Sequence, residues 1–326
     1  MMTCMCITVI MEVQCRGWDR LPDSVAELAA VDAVDLSECT DLRGLENAFT
    51  YMTKLIALVF EQCDALTELP ETLGQLTLLE TLELSNCARL MALPTSLGQL
   101  KSLAKLDVSY CGLLTQLPDS VGLLGDLTYL DCSGCTSLTR LPESICELGQ
   151  LQTLYLDTCA QLTCLPETLG RLTALRELYL CECMRLTQLP DSLGQLASLT
   201  MLDVGLCIAL KRLPETLGQL TQLQMLDISG CNALEQLPFS FAHLPRSVHI
   251  SMKGLQSVRL PYDNNVKDIH STILPYRDGV FEYLRNHNTP LKVMLLTMAC
   301  RRRCIRHPPP ELWAYIYVGF CFPYEI

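Results

Sequence analysis

The chain has 326 residues, 49% of them apolar and 18% charged, which suffices for a large core and excludes a charge-solvated disordered polymer. Its formal charge of −12 is uneven: residues 243–326 hold 11 Lys+Arg against 6 Asp+Glu, so the acidity lies upstream. An acidic body with a basic tail disfavours nucleic acid and suits protein partners with a basic surface.

Residues 1–30 open with "MMTCMCITVIMEVQC". The stretch is apolar, but it has no basic start and no small-residue cleavage site, so no secretory signal is expected. Cys15 and Leu21-Pro22 stand in phase with the cysteines and Leu-Pro pairs downstream, which makes this region a degenerate coil or cap. No apolar run reaches the ~18 residues needed to span a bilayer. The longest, "LKVMLLTMAC" at 291–300, runs into Arg301, Arg302 and Arg303. The expectation is a cytoplasmic protein without a membrane span, in a reducing compartment where cysteines stay thiols.

Residues 31–260 form the body. Cysteines recur at 15, 39, 63, 87, 111, 135, 159, 183, 207 and 231, always 24 apart. Leu-Pro pairs at 69, 93, 117, 141, 165, 189, 213 and 237 keep the same step. A fixed period of this size marks a solenoid, in which each unit buries its apolar face only against its neighbours. The alternation in Leu82-x-Leu84 predicts a short strand with one buried face, and stacked copies give a parallel sheet. "LPETLGQL" predicts one or two turns of α or 3₁₀ helix, with Pro opening it and Gly closing it in a left-handed conformation. Each cysteine follows a strand where the chain turns inward. A small, largely apolar group with a weak S–H donor fits a buried column there, so the ladder is a structural feature and not a set of reagents.

The unit "L-x-x-L-x-L-x-x-C-x-x-L-x-x-L-P-x-x-L-G-x-L" resembles a plant-like leucine-rich repeat, with Cys in the place often held by Asn. The resemblance implies an α/β fold: a leucine-rich-repeat solenoid or horseshoe, with parallel strands on the concave side and short helices on the convex side, in about nine or ten coils. It is similar to the leucine-rich segments of plant-type intracellular immune receptors. No G-x-x-x-x-G-K-[ST] phosphate loop accompanies it, and no kinase signature either. Only the sensing part of such a receptor is implied.

The position between the two strand leucines reads Asp35, Val59, Glu83, Asp107, Asp131, Tyr155, Tyr179, Asp203 and Asp227. This row is either a solvated acidic face or the groove for a basic partner. Tyr110, Tyr129, Tyr155 and Tyr179, beside Asp107, Asp131, Asp157 and Glu177, are expected to gather into a partner-binding patch, an aromatic anchor with a polar rim.

Residues 261–326 lose the period and read as a partly helical tail or cap. "HPPPELWAYIYVGF" at 307–320 resembles the opening of an F-box, the module by which family members dock on the adaptor of a cullin-type ubiquitin ligase. Leu312, Trp313 and Ile316 would then be the docking residues. The other reading is a capping helix on the last coil. No enzyme is expected. The histidines at 243, 249, 270, 287 and 307 lie at or beyond the end of the repeats, away from any nucleophile–base pair along them. No cofactor and no metal are expected either. "CSGC" holds one ladder cysteine and lacks a second pair at finger spacing, and "CRRRCIRH" lacks a fourth ligand. The expected function is a non-enzymatic protein–protein recognition scaffold or signalling, immune-type adaptor; the alternative is a substrate receptor for ubiquitin ligation.

Overall fold

The computed structural model describes residues 12–14, 31–39, 45, 49–245 and 247–255. The F-box-like stretch and the Cys300, Cys304 and His307 group therefore lie outside the described residues.

Eleven three-residue strands form one parallel sheet in sequence order. They are β1 Glu12–Gln14, β2 Ala33–Asp35, β3 Ala57–Val59, β4 Thr81–Glu83, β5 Lys105–Asp107, β6 Tyr129–Asp131, β7 Thr153–Tyr155, β8 Glu177–Tyr179, β9 Met201–Asp203, β10 Met225–Asp227 and β11 His249–Ser251. The constant period has a direct structural result. From β2 to β11 equivalent residues of successive coils lie side by side with no stagger, as in Leu106↔Leu130 and Asp107↔Asp131. β1 corrects the expectation that Cys15 stands in phase: Glu12 pairs with Ala33, 21 residues on, so the first strand is three residues out of step with the period of 24. In β2 to β10 the middle residue is buried and its two neighbours are half-buried, so one face looks into the core and the other to solvent.

The core is a set of leucine columns. In the fourth coil Leu82, Leu84, Leu90, Leu97, Leu100 and Leu103 are all fully buried. Each such side chain stabilises the fold by about 1.5–3 kcal/mol relative to exposure, so the stacking of coils supplies the stability that a three-residue strand lacks alone.

The cysteine columns close each turn. The Cys87 thiol donates to the Phe60 carbonyl at 2.9 Å, and Cys111, Cys135, Cys159 and Cys183 each donate to the carbonyl 27 residues earlier at 3.2 Å. Every cysteine among the described residues is a free thiol. Burial pushes the thiols of Cys111, Cys135 and Cys231 up to about 12, so they stay protonated and able to donate. The residue just before the cysteine is left-handed in coil after coil: Glu38, Gln62, Asn86, Tyr110, Gly134, Thr158, Glu182, Leu206 and Gly230, with Gly254 at the same place in the last coil. This conformation turns the chain inward so that the cysteine N–H reaches the strand-end carbonyl, as Cys87 does to Leu84 at 3.3 Å.

Opposite the sheet lie the 3₁₀ segments η1 Glu71–Gln75, η2 Thr95–Gln99, η3 Asp119–Leu123, η4 Glu143–Glu147, η5 Leu169–Arg171, η6 Asp191–Gln195, η7 Glu215–Gln219 and η8 Phe239–His243. Two details differ from the sequence expectation. The proline sits outside the helix as its cap, extended at φ −66 and ψ 151 for Pro94, and its carbonyl accepts the Leu97 N–H at 3.1 Å. The repeat glycine does not close the helix in a left-handed turn. It lies within the helix because the next coil leaves no room for a side chain: a Cβ on Gly122 would stand 2.2 Å from the Ser144 carbonyl oxygen. Cys146 occupies this position in η4, and the next helix, η5, is only three residues long.

Candidate protein-recognition face

The site is built from the solvent face of β4 to β10. At the strand ends, Asp107, Asp131, Asp203 and Asp227 each accept the backbone N–H two residues on, at 2.7–2.9 Å, from Ser109, Ser133, Gly205 and Ser229 respectively. These Asx turns fix one carboxylate oxygen and hold the other at the face. The second oxygen of Asp131 takes the Tyr129 hydroxyl at 3.2 Å. Burial raises the carboxyl of Asp203, and the Asp227 charge adds to the shift against the pull of the Gly205 N–H.

In the middle of this row stand Tyr155 and Tyr179. Their strands are in register, and their rings stack with centroids 4.6 Å apart and planes 6° apart. Tyr129, at the first position of β6, joins Tyr155 at 5.5 Å with a 50° tilt. The result is a ladder of three rings on three adjacent strands. Burial raises all three phenols, that of Tyr179 to about 12, with help from the nearby carboxylates. They remain protonated donors at neutral pH; the Tyr179 hydroxyl donates to Glu177 at 3.3 Å.

One end of the ladder carries a cation from the chain itself. Lys105 Nζ lies 5.4 Å from the Tyr129 ring centroid and 2.6 Å from Glu83 Oε1. The ammonium thus sits over a ring face with a carboxylate behind it, where the ring quadrupole attracts it.

The tyrosine pair removes two of the acceptors that cap the turns after β7 and β8. Asp157 restores one of them: its Oδ1 accepts the N–H of Cys181 in the next coil at 2.8 Å. Burial pushes the Asp157 carboxyl up to about 6 despite that N–H, with further repulsion from Asp203, Asp131 and Glu182. The Cys181 thiol is raised to about 11 by burial and then by the Asp203 charge.

The structure therefore brings together Tyr129, Tyr155, Tyr179, Asp131, Asp157 and Glu177, with Asp107 beside Asp131. Tyr110 is a correction. It lies in the left-handed turn after β5, exposed, with its ring leaning over Gly134 and not over Tyr129. Its place one residue before the cysteine puts it past the strand end, outside the ladder. Lys105 and Cys181 belong to the face and went unnoticed in the sequence. The step of 24 locates both, since Lys105 is the register partner of Tyr129 and Cys181 is the equivalent of Gly205. No group of three or more His, Cys, Asp or Glu side chains among the described residues is placed to hold a metal ion. No helix among them is long and apolar enough to cross a membrane.

Comparisons agree with this architecture. Residues 107–209 match the family model described as a leucine-rich repeat region. No curated protein matches the sequence. Among solved structures, the chain is similar to the leucine-rich repeat domain of the type III effector XCV3220 (XopL), with 24% identity over 77% of this chain and 76% of that one and a TM-score of 0.54. It is also similar to a chain of the Toll–Spatzle complex of Drosophila, with 20% identity over 78% of this chain and 39% of that one and a TM-score of 0.57. At these identities the likeness concerns the fold. Repeat, fold and family model converge: residues 107–209 match the leucine-rich repeat model, and the described residues fold as a leucine-rich-repeat solenoid.

Proposed function

We propose that this protein is a non-enzymatic recognition scaffold that binds a protein partner on the solvent face of its sheet. The observation that carries this reading is the ladder of Tyr129, Tyr155 and Tyr179, half-buried and flanked by Asp131, Asp157, Glu177 and Asp203. Rigid aromatics with a polar rim concentrate binding energy, and the excess of carboxylates selects a basic surface. Leucine-rich repeat proteins commonly act in protein–protein interaction, and one of the similar folds was solved in a complex with a protein. A signalling or immune-type adaptor fits this role, and a reducing compartment fits a ladder of donating thiols. The ubiquitin-ligase alternative rests on residues 307–320 alone, and nothing on this face favours it.

The test is affinity capture with the full chain and with a Tyr155→Ala/Tyr179→Ala double variant, followed by a direct titration of each captured protein. The reading expects a partner whose binding is lost in the double variant. Equal binding of every partner by both chains would make the patch a solvated surface and nothing more.

A further inference from the structure

The two ends of the tyrosine ladder differ in one respect. At the Tyr129 end the chain supplies its own cation, Lys105, seated between the ring and Glu83. At the Tyr179 end the next strand presents Asp203, and the one after it Asp227, at the same register position. Tyr155 and Tyr179 are nearly parallel at a spacing close to the ~4.8 Å between strands, so their ring normals run along the row. The face of Tyr179 turned away from Tyr155 therefore looks toward β9. Asp203 and Asp227 each have one oxygen fixed by a backbone N–H, and neither forms an ion pair with a Lys or Arg among the described residues. The Tyr179 end thus holds a ring face and a carboxylate pair, the elements that hold Lys105 at the other end, but no cation from among the described residues.

We propose that this second end receives a basic side chain of the protein partner, an arginine by preference, seated on the outer face of Tyr179 and paired with Asp203 and Asp227. The inference rests on the proposed recognition face and names its partner chemistry: an extended basic segment lying along the row. A planar guanidinium suits the place better than an ammonium, because it stacks flat on a ring while its edge donates to a carboxylate. The spacing supports an extended segment. The row from Asp131 to Asp203 spans three strand steps, roughly 14 Å. An extended chain covers that distance in about four residues, which places side chains i, i+2 and i+4 on one side of it. Basic residues at i and i+4 then reach the two carboxylate flanks while i+2 lies over the tyrosines.

The test uses the full chain and a labelled nonapeptide of alternating arginine and serine, read by fluorescence anisotropy at about 0.1 M salt, where long-range charge effects are screened beyond ~10 Å. The control is the same peptide with citrulline, the uncharged isostere, for every arginine. Expected results are binding of the arginine peptide only, and about tenfold weaker binding by Tyr179→Leu and by Asp203→Asn. Asn keeps the acceptor for the Gly205 N–H, so that variant preserves the turn. Asp119→Asn, which removes one exposed charge on the helical side, should bind like wild type. Lys105→Met removes the built-in cation and should tighten binding. Equal losses in Asp203→Asn and Asp119→Asn would overturn the proposal, as would no loss in Tyr179→Leu or no binding of the arginine peptide. The two readings fail separately. A natural partner that needs Tyr155 and Tyr179 while the arginine peptide does not bind leaves the recognition face standing and removes only the cation position.

Discussion

The carboxylate of Asp157 accepts the backbone N–H of Cys181 across the junction between two coils, at 2.8 Å. In the other coils with a strand-end aspartate, the same N–H is capped from within the coil, as Asp203 caps Gly205. Placing Tyr179 at that strand end takes the acceptor away, and Asp157 reaches over from the preceding coil to replace it. The tyrosine pair and Asp157 are therefore one structural unit.

That unit gives a pH signature. The Asp157 carboxyl is raised to about 6 in the fold, chiefly by burial, while an unfolded aspartate titrates near ~3.9. A folded value above the unfolded one favours the protonated form in the fold. The stabilising contribution is complete below about pH 4 and is lost as pH rises to about 6. Asparagine cannot ionise and can still accept from Cys181. The melting temperature of Asp157→Asn should therefore gain on wild type between about pH 4 and 6 and hold that gain above, as read from thermal melts across this range.

The cysteine ladder predicts a graded effect. The Cys159 thiol is fully buried and donates to the Cys132 carbonyl at 3.2 Å. Cys159→Ala removes the donor and leaves a small void, at a cost of about 1–2 kcal/mol. Cys159→Ser keeps a donor and should cost less. Urea midpoints of the two variants give the order.

The left-handed turn predicts a stabilising change. Thr158 sits at φ 55, where a β-branched residue is strained, while Gly134 and Gly230 fill the equivalent positions in other coils. Thr158→Gly relieves that strain at some cost in unfolded-state entropy. A net gain of about 0.5–1 kcal/mol is expected and would show as a higher urea midpoint.

The repeat glycine predicts the opposite sign. A Cβ at Gly122 would meet the Ser144 carbonyl oxygen at 2.2 Å, side chain against backbone. Gly122→Ala should destabilise by about 1–3 kcal/mol. Cys146 shows how the coil accommodates a side chain there, with η5 reduced to three residues and its cap moved to Thr168 at φ −96 and ψ 16. A crystal structure of Gly122→Ala is expected to show η4 shortened in the same way.

Most of the fold was legible because a strict period carries it. Once Cys87 and Cys111 are known to be equivalent, so are Leu82 and Leu106, and the sheet register is set. The row of Asp107, Asp131, Tyr155, Tyr179, Asp203 and Asp227 was legible for the same reason. Less legible was anything set by contact between coils. The glycine of "LPETLGQL" reads as a helix stop, since left-handed glycines commonly end helices; only the approach of the next coil's backbone reveals a steric role. Tyr110 looked like a fourth member of the ladder by chain distance, but three residues past the register position the chain has already turned away. The part played by Asp157 depends on what is missing at Tyr179, a relation between neighbours that a column of equivalent positions conceals.

The central claim, recognition through the tyrosine ladder, is tested most directly by hydroxyl-radical footprinting of the complex with a partner found by capture. The account predicts that oxidation of Tyr129, Tyr155 and Tyr179 falls on complex formation while exposed Leu123 on the helical side is oxidised as in the free protein. Protection confined to Leu123 and its neighbours, with the three tyrosines unchanged, would contradict it.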